Sequence, residues 1–63
     1  MLMQTVKTFL GEKSDIESIV LIEKGVSLGM FSVEEANRKY GDYHYVETHS
    51  NSGNSAIISI EKI

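Results

Sequence analysis

His44 and His49 are the side chains of this sequence best suited to proton transfer or metal binding, and they stand five positions apart in HYVETH. On a strand that spacing points them to opposite faces, so one subunit cannot chelate a metal with both. A metal centre needs His, Asp, Glu or Cys converging from at least three positions; no such spacing is present, and Cys is absent. Nucleophilic catalysis needs a Ser or Thr beside a base and an orienting acid. Ser50 follows His49, but that is adjacency along the chain, without a glycine-flanked nucleophile turn. The tract SNSGNS, residues 50–55, has the small residues of an anion-binding nest, yet neither a Walker lysine nor a following helix pattern. It reads as a hairpin loop. The expectation is a non-enzymatic protein without cofactor or metal.

Side chains suited to recognition are more prominent. Tyr40, Tyr43 and Tyr45 hold all three tyrosines within six positions, and Tyr43 and Tyr45 share a parity. Tyrosine combines a large rigid area with a polar tip, which suits a binding surface, although the same face could pack on helices. Leu21 and Leu28 are seven apart and, on a helix, lie opposite the main apolar stripe. With Ile57 and Ile63 these residues form the expected partner interface: Leu21, Leu28, Tyr43, Tyr45, Ile57 and Ile63.

The elements that must position them follow from patterning. Residues 2–10, LMQTVKTFL, carry Thr, Val and Phe without Gly or Pro, which predicts a strand. Two capping boxes come next, Ser14 with Glu17 and Ser32 with Glu35, each predicting a helix start. Ile16, Ile19, Val20, Ile22 and Val26 supply an apolar stripe for a first helix ending at Gly29, with Gly25 as the other candidate. A second helix is predicted over Val33 to Tyr40, with acids in its first turn and bases in its last to match the helix dipole. After Asp42 the period changes to two, so Tyr43–His49 and Ala56–Ile63 are predicted to form a β-hairpin around the loop.

The stretch 24–41, KGVSLGMFSVEEANRKYG, resembles the helical hairpins of SHOCT domains of bacterial proteins: helix, Gly, two apolar residues, Ser, then a Glu-rich helix start. The likeness stops at Gly41, short of that family's long second helix, and no function is carried over from it.

Composition sets the outer bounds. With 63 residues, 41% hydrophobic and 24% charged, the chain is expected to be one globular domain, residues 1–63, with a thin core. The fold class is α+β in the order β-α-α-β-β: a small three-stranded antiparallel sheet with a helical hairpin on one face. Six Lys and Arg against nine Asp and Glu, with no basic run, disfavour a nucleic-acid partner. No apolar run reaches membrane-spanning length or resembles a signal-peptide core, so a cytoplasmic protein without membrane contact is expected. A thin core without disulfides or metal favours self-association. The leading functional expectation is a small regulator or inhibitor of bacterial or phage type, acting through protein–protein contacts and forming a homodimer or larger. The alternative is a winged-helix DNA-binding protein, since two helices followed by a hairpin is the order of that motif.

Overall fold

A computed structural model describes residues 4–13 and 15–62. The chain runs α1 (Val6–Gly11), β1 (Ser18–Glu23), β2 (Val26–Ser32), α2 (Val33–Tyr40), β3 (His44–Ser52) and β4 (Ser55–Glu61). It is α+β, with two helices and a four-stranded mixed sheet of order β2-β1-β4-β3. Two antiparallel hairpins, β1–β2 and β3–β4, are joined by the parallel pair β1–β4 at the centre.

The first departure from expectation is at residues 2–10, where a strand was predicted. Within the described part, Val6–Gly11 is helical. Thr5 caps it, its hydroxyl accepting from the Thr8 amide at 3.2 Å, and Val6, Phe9 and Leu10 turn one face inward. That i, i+3, i+4 spacing is a helical signature, and it outweighs the β propensity of Thr and Val. Residues Leu2 and Met3 of that predicted strand lie outside the described residues.

A second correction concerns the first predicted helix, which is a β-hairpin. Lys24 and Gly25 form its tip, with φ of 52° and 79°, and two positive φ values in succession are the signature of a type I′ turn. Neither Gly25 nor Gly29 ends a helix. Gly29, with φ of 112°, lies where the β1–β2 register shifts, opposite Leu21, and marks a bulge. Ser14, the serine of the first capping box, lies outside the described residues. The helical hairpin is therefore replaced by two helices that β1 and β2 separate along the chain, and residues 24–32 do not take the helical form that the SHOCT-like pattern implied. The helix-helix-hairpin order behind the winged-helix alternative is likewise absent from the described residues.

From Ser32 onward the expected elements are found. The Ser32 hydroxyl accepts from the Glu35 amide at 3.2 Å and caps α2, with Glu34 and Glu35 in the first turn and Arg38 and Lys39 in the last. The second hairpin follows, its strands extending past the expected loop edges to a tight turn at Gly53, φ 59°.

Both helices lie on one face of the sheet. Val6, Phe9 and Leu10 of α1 and Ala36 of α2 meet Ile19, Leu21, Ala56, Ile58 and Ile60 from the strands. Ile19, Leu21 and Ile58 are fully buried, at the centre of the parallel pair.

Candidate interaction surface

In β1 the even positions point away from the helices, because side chains alternate across a strand and Ile19 and Leu21 are buried. Val20 pairs with Met30 of β2 on one side and Ile57 of β4 on the other. Ile22 is next on the same face, opposite Ser27 and Ser59. Val20, Ile22, Met30 and Ile57 thus form a contiguous apolar centre across three strands, on a face that neither helix covers. Met30 is 67% exposed. Serines border this centre: Ser18 faces Ser32 and Ser55 at one end, Ser27 and Ser59 flank Ile22, and Ser50 faces Ile57 from β3.

A polar cluster on this face is built by β3 and β4. His49 sits at a register shift of β3 and its Nε2 is hydrogen-bonded to the Ser59 hydroxyl. Glu47 Oε1 stands 4.0 Å from the same Nε2. Serine, histidine and glutamate together suggest a nucleophile and its base, yet the acid and the hydroxyl share one ring nitrogen, so the acid cannot orient the ring from its far side as a triad requires. His49 and Glu47 are also exposed, at 43% and 65% of their side-chain surface. His44 lies further along β3, paired with outward-facing Glu61 on β4 and bridged to Thr5, so the two register shifts bring both histidines to one face where the strand spacing predicted opposite ones. Among the described residues no group of three His, Asp or Glu is arranged to hold a metal ion.

Two hollows lie around α2, both wide open to solvent. One of about 240 Å³ is lined by Ser32, Glu34, Glu35 and Arg38. The other, about 330 Å³, is lined by Lys7, Glu34, Asn37, Arg38 and Asp42. Their walls are polar and charged, unlike the largely apolar, enclosing lining of small-molecule sites.

Of the six residues expected at a partner interface, the five described ones are not brought together. Leu21 is 0% exposed and belongs to the core, while Leu28 is half-buried against it. The supposed leucine seam is therefore satisfied within the subunit. Tyr43 and Tyr45 pack on the helix-covered side: Tyr45 stacks on Phe9 with ring centroids 4.4 Å apart, and Tyr43 meets Tyr40 edge-on at 5.1 Å. Ile57 is on the uncovered face; Ile63 lies outside the described residues. Val20 and Ile22 escaped the sequence reading because helical spacing placed them on the core stripe, and Met30 because it was read as one of the two apolar residues between the helices. The signal for Val20 and Ile22 was the unbroken apolar run IVLI, residues 19–22, the mark of a strand with apolar residues on both faces. Among the described residues, no helix is long and apolar enough to cross a membrane. Comparison with protein-family models, with curated proteins and with solved structures finds no match.

Proposed function

We propose that this chain is a non-enzymatic interaction module whose contact surface for a protein partner is the uncovered face of the sheet. The observation that supports it is the apolar centre of Val20, Ile22, Met30 and Ile57 within a border of serines. An apolar centre with a polar rim, here serines together with Glu47, His49 and Glu61 on the β3–β4 side, is the anatomy of a protein–protein contact, where burial supplies affinity and the rim seals out water. The centre itself carries no charge, so docking desolvates no ion there. Catalysis finds less support, because the His49 cluster and both hollows are open to water. A role as regulator or inhibitor, and a cytoplasmic setting, belong to the same proposal.

Capture of a partner from a host lysate by the immobilised chain tests this reading. Ile57→Lys, which sets a cation in the apolar centre, is expected to abolish capture with the circular dichroism spectrum unchanged. Glu61→Gln, at the rim, is expected to leave capture intact. Equal capture by the wild type and the Ile57→Lys variant would rule the surface out.

A further inference from the structure

The two outer strands of the sheet are protected very differently. The outer side of β3 is partly occupied, because the Tyr45 amide donates to the Gln4 carbonyl at 2.7 Å, the Val6 amide donates to the Tyr43 carbonyl at 2.9 Å, and Thr5 bridges His44. Two register shifts further distort β3, and Glu47 adds charge. Bulges, charges and covering segments are the usual means of keeping a strand edge from pairing with another chain. On β2 most of these are missing. Its sequence VSLGMFS has no charged residue and no proline, it carries a single register shift, and among the described residues no strand pairs with its outer side.

We propose that β2 pairs antiparallel with β2 of a second copy, forming a two-fold dimer with a continuous eight-stranded sheet. Charge allows a second copy at this edge, and the helix above the edge is what favours one. The chain carries a formal charge of -3, so self-pairing is tolerated best along a neutral strand, and β2 is the strand without an acidic residue. The helix above that edge is self-complementary. Lys39 Nζ lies 5.7 Å from the centroid of Phe31, a β2 residue, which places the Lys39 flank of α2 on the β2 side. Glu35, one turn earlier, shares that flank and pairs with Lys39 at 3.6 Å.

An antiparallel strand pair requires the two-fold axis to be perpendicular to the sheet, and that axis also sets α2 antiparallel to its copy. A helix over the two outermost strands then comes to roughly 10 Å from its mate, an ordinary helix-packing distance. Glu35 of each copy faces Lys39 of the other. Both uncovered faces point the same way, so the dimer doubles that surface instead of consuming it. The inference is independent of what docks on the face.

Sedimentation equilibrium at low ionic strength tests it, with circular dichroism as the folding control. The wild type is expected at twice the 7.0 kDa chain mass. Glu35→Lys alone and Lys39→Glu alone each bring like charges together and should weaken dimerisation about tenfold. An equimolar mixture of the two, and the double variant E35K/K39E, should restore it, because each recreates opposite charges across the axis. The cap on α2 uses the Glu35 backbone amide, so Ser32 keeps its bond in every variant. A wild-type monomer at high micromolar concentration would overturn the proposal, as would folded single variants that dimerise like the wild type or a mixture that fails to recover. Ile57→Lys separates this from the docking reading: it should stop partner capture and leave the dimer intact, whereas the single charge variants should weaken the dimer and leave the face able to capture.

Discussion

Ser32 shows how a single hydroxyl can settle where two elements meet. It is the last residue of β2 and the cap of α2, and its bond to the Glu35 amide satisfies one of the donors that a helix start leaves unpaired. Ser32→Ala is expected to cost about 1 kcal/mol, read as a lower urea midpoint with unchanged slope. This residue was legible in the sequence because a capping box acts locally, over three positions. Leu21 was not legible in the same way. Its neighbours at one to four positions fit a helix stripe, and its actual neighbours, Gly29 and Ile58, are reached only through strand pairing. A residue whose environment is made by distant segments cannot be assigned a face until the period of its own segment is known.

At the scale of elements, the β1–β2 hairpin turns on Lys24 and Gly25. A type I′ turn wants positive φ at both central positions; glycine takes it freely, whereas lysine is strained there. Gly25→Ala should therefore destabilise by roughly 1 kcal/mol, and Lys24→Asn should stabilise by about 0.5 kcal/mol, opposite shifts in thermal midpoint from adjacent sites. The same pair explains why a helix was expected here. Gly25 and Gly29 both suit a helix C-terminus, and Ile and Val at 16, 19, 20, 22 and 26 satisfy a helical stripe. The deciding fact is that a strand buried on one face and apolar on the other also shows apolar residues at every spacing, so period alone does not separate the two. β-branched enrichment in SIVLIEKGV, with a Lys-Gly step between two apolar runs, was the discriminating signal. The second hairpin was readable because β4 alternates, with Ala56, Ile58 and Ile60 inward and Ile57, Ser59 and Glu61 outward, and because a polar, glycine-bearing tract separates it from the aromatic and β-branched residues of β3.

For the whole molecule, the α+β class and the closing hairpin were accessible from pattern, while strand order was not. The parallel seam of β1 with β4 rests on contacts that no local rule specifies; at its mouth Asn54 donates to the Glu17 carboxylate at 2.6 Å across 37 positions of chain. Because one core spans both hairpins, Leu21→Ala is expected to cost about 2–5 kcal/mol and to unfold them together. Far-UV circular dichroism and tyrosine fluorescence, which reports on Tyr40, Tyr43 and Tyr45 beside the second hairpin, should show coincident transitions. The seam also governs the order of events in time. Each hairpin closes a short loop, but β1 and β4 can meet only after the intervening chain has been drawn together, so their docking is expected to be the slow, late step. Until it happens, the inner edges of both hairpins are bare, and a chain emerging from the ribosome holds β1 unpaired on that side until β4 has been synthesised.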